Sequence, residues 1–376
     1  MASENDLVLT KSPSGRTYNY NRSGCPTNEY VERKLAEFYE TDDGSPDGLD
    51  AYLLSSGMHA ISSAIYTGIE QLRREWRKGK DYLDVDYPVI NICYSGEMYC
   101  DTERTIKYIE KIHKCPIKLV KIGFNGCYDA IVDEWKVKAC PRDIKYNIFV
   151  IESSSNPNGN LFPTKLLSRF REYSLGTFVI MDNTWLTHLG FNPLMKMEEN
   201  CQTDMVALSL TKYYTGGKII AGAVISNKET IKITRYEHGC TMGFHISAAV
   251  SKIIMTGLDT FDQRMKSSQL KLGVVINAIN QKTPHFYSIR RAIVKKENGE
   301  SEFEAPVFMI YYTGISKNSI MKQTKKAIDV NFKTSYGGPD HRINPWIVIN
   351  YDTVGIRISV GWRDDTTRLI NFLNTI

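Results

Sequence analysis

The sequence lacks long apolar runs and any concentration of charge of one sign. None of its apolar stretches approaches the roughly 20 residues that a helix needs to cross a bilayer. The net charge is only +5, and the densest basic run, RREWRKGK at residues 73–80, closes a helical pattern as a solvated helix end would. We therefore predict neither a membrane nor a nucleic acid as a partner.

Paired cysteines are also missing. The eight cysteines form no Cys-x-x-Cys pair and no spacing with histidine that suits a metal, so we expect no metal site and no disulfide framework. Residues 1–12 show no basic segment followed by an apolar one, which a secretory signal would have. We expect reduced thiols and a cytoplasmic location.

The sequence does have enough apolar residues for a large core, since they make up 42% of 376 residues. Residues 1–48 are polar apart from one helical pattern and predict an N-terminal arm that contacts a neighbouring subunit. Residues 49–240 predict the main domain, and residues 241–376 predict a smaller C-terminal α+β domain.

The main domain contains a helical pattern from Gly57 onwards and several short apolar runs between polar or helical segments. These runs are YPVINICY, IKLVKIGF, NIFVIES, TFVIMDN, MVALSL and IIAGAVIS. Nearly continuous apolar strands with crossovers are typical of a mostly parallel sheet that helices cover on both faces. The fold class predicted is a doubly wound α/β domain.

The C-terminal part has a different pattern. A long helical pattern over residues 247–279 precedes a hairpin signal with Asn298 and Gly299 at its turn. A strand, VGIRISVGW, and a capped helix, DDTTRLINFL, follow.

Reactive side chains follow the predicted strands. Tyr94, Asn156, Asp182 and Lys212 come after four of them, and Ser209 and Thr211 flank the lysine. Ligands of open parallel sheets bind outside the carboxyl ends of the strands. Each residue also has an ordinary explanation, because Asp-Asn is a common turn pair, a tyrosine after a strand is usually packing, and a lysine before glycines is usually a surface charge. Their chemical complementarity favours a shared site.

An anion site is predicted where the helix at Gly57 begins. Free N–H groups and the helix dipole favour an anion there, although Ser56 as a plain helix cap explains the local pattern equally well. Together these groups call for a phosphate, a carbonyl carbon that condenses with an amine, and an aromatic nitrogen that pairs with an acid. Pyridoxal phosphate has all three.

The motifs that carry these residues resemble the Cys/Met-metabolism (transsulfuration) family of fold-type I pyridoxal-phosphate enzymes. The resemblance runs from YNRSGCPT at residues 20–27 to IRISVGW at residues 356–362, in the family's order. It implies a fold-type I architecture, with a mostly parallel sheet covered by helices, a smaller C-terminal domain and an N-terminal arm.

The resemblance also implies roles for residues around the cofactor. SLTKY implies that Lys212 forms the imine with pyridoxal 5'-phosphate and that Ser209 and Thr211 bind its phosphate. MDNTW implies that Asp182 pairs with the ring nitrogen, and ESSSNP implies that Asn156 lies near the ring hydroxyl. It further implies that Tyr94 stacks on the cofactor ring. The other residues implied to contact the phosphate are Ser56, Gly57, Met58 and, from the neighbouring subunit's arm, Tyr20 and Arg22.

SYGG and IRISVGW imply that Ser335 and Arg357 hold the substrate carboxylate. Some positions depart from the family pattern. Cys25 stands in place of an asparagine, Gly217 and Lys218 in place of a histidine and a small hydroxyl residue, Ser154 in place of a proline, Glu97 in place of a threonine and Asp340 in place of a glutamate. These departures leave the imine chemistry intact but leave the choice of substrate open.

The implied activity is that of a carbon–sulfur lyase that eliminates a thiol from a cystathionine-like amino acid by β- or γ-elimination, giving a 2-oxo acid and ammonia. Lys212 is the expected base at Cα, and Tyr94 is the expected acid or base at the leaving sulfur. Trp185 and Tyr336 resemble residues of cystathionine β-lyases more than those of γ-specific members. Alternatives are γ-replacement, as in cystathionine γ-synthase or O-acylhomoserine sulfhydrylase, and a non-catalytic cofactor-binding regulatory relative. The motifs disfavour an aminotransferase.

The predicted N-terminal arm implies that the protein forms an oligomer. If Tyr20 and Arg22 complete a neighbour's phosphate site, a homodimer is the minimum unit. The family norm implies a homotetramer.

Overall fold

The structure is a computed structural model. It describes residues 25–40, 48–78, 87–123, 128–139, 146–156, 158–195, 200–295, 301–326, 331–332, 336–350, 353–363 and 365–376. The chain folds into two compact units of different size, and each unit is formed by three separate segments. Unit 1 comprises residues 1–153, 162–210 and 220–252, and unit 2 comprises residues 154–161, 211–219 and 253–376.

Unit 1 contains a seven-stranded sheet with the order β1-β7-β6-β5-β4-β2-β3. Its strands are β1 Leu49–Leu54, β2 Ile90–Ser95, β3 Ile117–Ile122, β4 Tyr146–Glu152, β5 Gly176–Asp182, β6 Met205–Ser209 and β7 Gly222–Asn227. β2 to β6 pair in parallel, and β7 is antiparallel to both of its neighbours, β1 and β6.

The helices of unit 1 alternate with these strands along the chain. They are α1 Pro26–Glu37, α2 Gly57–Arg77, α3 Cys100–Ile112, α4 Tyr128–Ala139, α5 Leu166–Glu172, α6 Thr187–Gly190 and α7 Lys228–Ile233, which continues into a π-helical turn at Thr234–Cys240. α2 buries Ile61, Ile65, Ile69 and Leu72, whose spacing places them on one helix face.

Two hydrophobic clusters explain why the strands of unit 1 are almost continuously apolar. Ile148 and Val150 of β4 belong to a cluster with α2 and α3, whereas Phe149 and Ile151 belong to a second cluster with Trp135 of α4. Alternate residues of one strand therefore serve opposite faces, and both faces are buried. This arrangement confirms the predicted mostly parallel α/β sheet.

Unit 2 contains a five-stranded sheet with the order β10-β11-β12-β9-β8, antiparallel except for the β10–β11 pair. Its strands are β8 Phe286–Lys295, β9 Ser301–Thr313, β10 Asn331–Phe332, β11 Arg342–Asn350 and β12 Thr353–Ser359. The other helices are α8 Ala248–Asp259, which spans the division between the units, α9 Phe261–Ala278, α10 Lys317–Lys326 and α11 Thr367–Thr375. The smaller α+β domain predicted from the sequence thus has an antiparallel sheet.

One face of this second sheet forms an apolar core. Ile356 and Ile358 of β12 and Phe308 of β9 pack in a cluster with Leu272 of α9 and Leu369 of α11. Every residue of β12 is nevertheless buried. The intervening positions, among them Arg357, therefore lie buried on the opposite face.

Several sequence predictions need correction. β1 was not among the predicted strands, and the helical pattern at residues 247–279 is two helices, because Thr260 leaves helical geometry with φ −111° and ψ 6°. The last helix is capped differently from the capping-box prediction. Its N-cap residue, Thr366, makes no side-chain cap bond, and the Asp365 carboxylate accepts the Thr367 N–H instead. The predicted turn at Asn298 and Gly299 lies outside the described residues.

Candidate active site

The carboxyl ends of the parallel strands bring polar groups to one edge of the unit 1 sheet. β2, β4, β5 and β6 run in the same direction, with Glu152 of β4 in register with Asp182 of β5. Asp182 is the last residue of β5, and Ser209 is the last residue of β6. This is the edge at which an open parallel sheet binds its ligands.

The start of α2 lies against Ser209. A Cβ atom built on Gly57 would lie 2.7 Å from Ser209 Cβ and 3.0 Å from its Oγ, so only glycine fits this approach. Gly222, which pairs with both Leu54 and Ser209 in the sheet, allows a second close contact. A Cβ atom there would lie 2.2 Å from the Ser56 carbonyl oxygen. Two glycines thus place the helix start beside the serine hydroxyl.

The N-terminus of α2 can hold an anion. The first N–H groups of a helix have no acceptor within the helix, and Ser56 Oγ accepts one of them, that of His59, at 3.0 Å. The amides of Gly57 and Met58 precede it at the positive end of a 21-residue helix. With the Ser209 hydroxyl alongside, these donors match a phosphate group.

The Asp182 carboxylate is oriented by its own loop. Its Oδ1 accepts the Thr184 N–H at 2.9 Å, and Thr184 Oγ1 accepts the Ser209 N–H at 2.8 Å. Thr184 therefore couples the end of β5 to the end of β6. The carboxylate is half-buried.

Tyr94 lies within β2 and not after it, because the pairing of β2 with β3 extends to Ser95. Its side chain is buried in the cluster that contains Leu54, Ile61 and Met98. Burial raises the pKa of the Tyr94 phenol, and the nearby Glu103 carboxylate raises it further. The phenol thus keeps its proton at neutral pH.

Lys212 and Arg357 of unit 2 share one aromatic ring. Lys212 Nζ lies 5.1 Å from the centroid of the Tyr336 ring, and Arg357 Cζ lies 5.5 Å from the same centroid. Arg357 Nη1 donates to Asn156 Oδ1 at 3.3 Å. Both cations are within the range of cation–π attraction, so the ring holds an amine and a guanidinium close together.

The loop after Lys212 is closed by backbone bonds and supported by a tryptophan. Gly216 N–H donates to the Lys212 carbonyl at 2.7 Å, and Gly217 N–H donates to the Thr211 carbonyl at 2.8 Å. Gly216 and Gly217 have φ of 64° and 79°, values that favour glycine. A Cβ atom on Gly216 would lie 2.6 Å from the Trp362 ring.

Tyr213, next to the lysine, is buried. Burial raises the pKa of its phenol, and the positive charge of Arg357 opposes that shift. The Tyr213 hydroxyl has no hydrogen-bond partner among the residues that the structure describes.

The structure thus gathers Ser56, Gly57, Met58 and Ser209 at one edge of unit 1, with Asp182 at the same edge. It gathers Lys212, Asn156 and Arg357 in unit 2, where Thr211 precedes the lysine. Tyr20, Arg22 and Ser335 lie outside the described residues, so the roles predicted for them stay predictions.

Residues 3–280 match the family described as Cys/Met metabolism PLP-dependent enzymes. The chain belongs to this family. The match confirms the resemblance inferred from the motifs. Because the family is PLP-dependent, the match also confirms the prediction of pyridoxal phosphate as the cofactor.

The curated relatives of this chain include methionine gamma-lyases, cystathionine beta-lyases and a cystathionine gamma-synthase. An L-methionine gamma-lyase of Fusobacterium nucleatum subsp. polymorphum is 28% identical over 270 residues, which are 70% of this chain and 58% of the relative. A cystathionine beta-lyase of Neurospora crassa is 25% identical over 264 residues, which are 69% of this chain and 49% of the relative. The chain thus spans about half the length of the curated relatives that it matches.

A solved cystathionine gamma synthase from Xanthomonas oryzae pv. oryzae has the same fold. It superposes with a TM-score of 0.74 at 17% identity, covering 98% of this chain and 89% of that chain. This likeness confirms the predicted fold class. Among the described residues, no helix is both long and apolar enough to cross a membrane.

The sequence motifs did not identify every residue of the candidate site. Thr184 stands inside the MDNTW motif, but its bond to Ser209 depends on the pairing of β5 with β6. Gly222 begins an apolar strand, and only the sheet register shows why it is glycine. Tyr213 belongs to SLTKY, and its burial follows from the packing of unit 2.

Proposed function

We propose that this protein is a pyridoxal-phosphate-dependent carbon–sulfur lyase that eliminates a thiol from cystathionine-like amino acids and releases a 2-oxo acid and ammonia. The observation that supports this most directly is the placement of Lys212 and Arg357 against the Tyr336 ring. An α-amino acid whose carboxylate pairs with the guanidinium brings its Cα close to the amine. Arginine and carboxylate form two parallel hydrogen bonds, which fixes that orientation.

The residues at the edge of unit 1 fit the cofactor phosphate. Gly57, Met58, Ser56 and Ser209 supply donors at a helix N-terminus where a Cβ atom on Gly57 would fill the space. Thr211, which follows in the chain, is the further phosphate residue that we propose. Asp182 would hold the protonated ring nitrogen, and Asn156 the ring hydroxyl.

When bound, the cofactor supplies an aldehyde that condenses with amines and a ring that withdraws electrons from Cα. Lys212 would hold that aldehyde, and its amine would serve as the base that removes the Cα proton. Arg357, with Ser335, orients the substrate carboxylate. Tyr94, whose phenol keeps its proton, is suited to protonate the leaving sulfur.

Products and one matched pair of lysine variants test this proposal. We expect the wild type to release a 2-oxo acid from cystathionine, as pyruvate for β-elimination or 2-oxobutyrate for γ-elimination. Consumption of O-acylhomoserine with cysteine would instead mark γ-replacement.

Lys212→Ala should lose at least about 10³-fold in kcat, because it removes both the imine partner and the base. Lys218→Ala, at an exposed position six residues further along the chain, should retain activity. A Lys212→Ala protein as active as Lys218→Ala would refute the assignment.

We further propose a homodimer as the minimum unit and a homotetramer as the complete assembly, with Tyr20 and Arg22 reaching the phosphate of the neighbouring subunit. Arg22→Glu, mixed with wild-type subunits, should weaken cofactor retention in one site per heterodimer. Unchanged retention in both sites would count against a shared site.

A cytoplasmic location is also part of the proposal. Five described cysteines are free thiols, namely Cys25, Cys93, Cys100, Cys115 and Cys201, which suits a reducing compartment. Fractionation of the source cells with antibody detection tests this location, and recovery in a secreted fraction would overturn it.

A further inference from the structure

Arg342 and Asn344, two residues apart on β11, carry buried donors for which the described residues supply no acceptor. Arg342 and Asn344 are each 7% exposed. Arg342 Nε and Asn344 Nδ2 have no hydrogen-bond partner among the described residues. Buried donors of this kind are rare because each costs the free energy of its lost hydration.

Both side chains lie on the face of the sheet that carries Arg357. Residues two apart on a strand share a face, and Asn344 pairs directly with Arg357 of β12 while Arg342 pairs with Ser359. Arg342 and Arg357 are therefore diagonal neighbours on adjacent strands. Side chains at such positions are within reach of one ligand.

Glycines make room for the Arg342 guanidinium. A Cβ atom on Gly338 would lie 2.1 Å from Arg342 Nη2, and one on Gly217 would lie 3.3 Å from the same nitrogen. Gly217 is one of the positions at which the chain departs from the family pattern, where a histidine is usual. The guanidinium thus adjoins the position at which that histidine side chain would begin.

Among the described residues, little compensates the positive charge of Arg342. Burial lowers the pKa of the Arg342 guanidinium, and the half-buried Asp340 carboxylate opposes that shift. No carboxylate of the described residues forms an ion pair with Arg342. A buried guanidinium is expected to have an anionic or otherwise hydrogen-bonding partner. A ligand carboxylate would supply acceptors for both Arg342 and Asn344.

We propose that Arg342 and Asn344 bind a second carboxylate of the substrate, while Arg357 binds its α-carboxylate. This inference rests on the proposed function and narrows it to dicarboxylic sulfur amino acids, of which cystathionine is one. A monocarboxylic substrate such as methionine leaves the two donors unpaired. Sites built to bond a polar group discriminate strongly against analogues that lack it.

The first test compares two substrates in matched variants. Arg342→Gln should lower kcat/KM for cystathionine by about 10²-fold, because it removes the charge that pairs with the second carboxylate. For methionine the change in kcat/KM should stay within about threefold, since the removed guanidinium makes no contact with a monocarboxylic substrate. Asn344→Leu should show the same selectivity with a smaller loss. Arg290→Gln, at an exposed arginine of β8, is the control and should affect neither substrate.

Equal losses for both substrates, or no loss for cystathionine, would overturn the subsite. Thermal unfolding of each variant separates local effects from misfolding. Arg342→Lys, which keeps the charge but not the paired donors, should fall between wild type and Arg342→Gln.

A binding measurement separates this inference from the proposed function. Glutarate should bind the cofactor-loaded wild type more tightly than butyrate in calorimetry, and Arg342→Gln should abolish the difference. If wild type cleaves no sulfur amino acid but shows this difference, the lyase proposal fails and the subsite stands. If wild type is a lyase and the variant binds both acids as wild type does, the subsite fails and the lyase stands. A weaker pyridoxal phosphate affinity in Arg342→Gln would assign the arginine to the cofactor phosphate and overturn the subsite.

Discussion

Gly57 approaches Ser209 so closely that a methyl group on the glycine would lie 2.7 Å from the serine Cβ. The contact joins the first residue of α2 to the last residue of β6. It brings the positive end of a helix and a hydroxyl to the same place, which is what a phosphate requires.

Gly57→Ala should weaken pyridoxal phosphate binding by at least about tenfold, because the new methyl group must push the helix start away from Ser209. Fluorescence or absorbance titration of the purified apoprotein measures the Kd. Gly273→Ala is the matched control, since Gly273 lies within α9 and a Cβ atom there meets nothing within 4 Å. Its Kd should not change, and its helix should gain a few tenths to about 1 kcal/mol. Equal affinity in both variants would contradict a phosphate site at this edge.

Asp182→Asn should reduce kcat for elimination by about 10²-fold or more while leaving the fold intact. The amide oxygen can still accept the Thr184 N–H, but the negative charge that favours a protonated ring nitrogen is lost. Steady-state kinetics with unfolding curves provide the measurement. Asp259→Asn, at the exposed end of α8, serves as the control. Wild-type kcat in Asp182→Asn would exclude the ring-nitrogen role.

Trp362→Ala should loosen the loop that follows Lys212. A Cβ atom on Gly216 would lie 2.6 Å from the Trp362 ring, and Arg264 Cζ lies 4.8 Å from the centroid of that ring. Arg264 Nη2 also donates to the Tyr214 carbonyl at 2.8 Å. We expect a loss of about 1–3 kcal/mol in the free energy of unfolding, together with a lower kcat. Trp362→Phe should retain most of both. Urea denaturation and kinetics measure them, and an alanine variant indistinguishable from wild type would show that the ring does not support the loop.

The buried His238 should make the protein less stable in mild acid. It lies in the π-helical turn with its ring 5.5 Å from that of Tyr66, and burial lowers its pKa from 6.5 to about 4. The Glu70 carboxylate opposes this shift and His113 reinforces it. The unfolded chain therefore binds a proton at pH values where the folded protein does not, so stability falls as pH drops from about 6.5 to about 4.

The contribution of His238 over that range is up to about 3 kcal/mol, since each pH unit is worth about 1.36 kcal/mol. His238→Phe should flatten the pH dependence of the free energy of unfolding by that amount. At pH 8, where the imidazole is neutral in both states, this linkage makes no contribution. Equal slopes in variant and wild type between pH 6.5 and pH 4 would rule out His238 as the source.

Local patterns predicted the strands of the main sheet well where apolar runs were continuous, as in NIFVIES and TFVIMDN. They missed β1, LDAYLL, in which Asp50 interrupts the apolar run. They could not give the direction of β7, because side-chain alternation is the same in parallel and antiparallel strands. They placed Tyr94 after β2, whereas the pairing with β3 keeps it inside the strand.

The order of motifs along the chain by itself determined the family, the cofactor and the identity of the lysine proposed to hold it, because that chemistry needs particular side chains at short spacings. Only the tertiary structure decided that Gly222 must be glycine, that Thr184 ties Asp182 to Ser209, and that Arg342 joins Arg357 on one face of a sheet. Those relationships connect residues far apart in the chain. Strand register and close packing set them, and no local pattern encodes either.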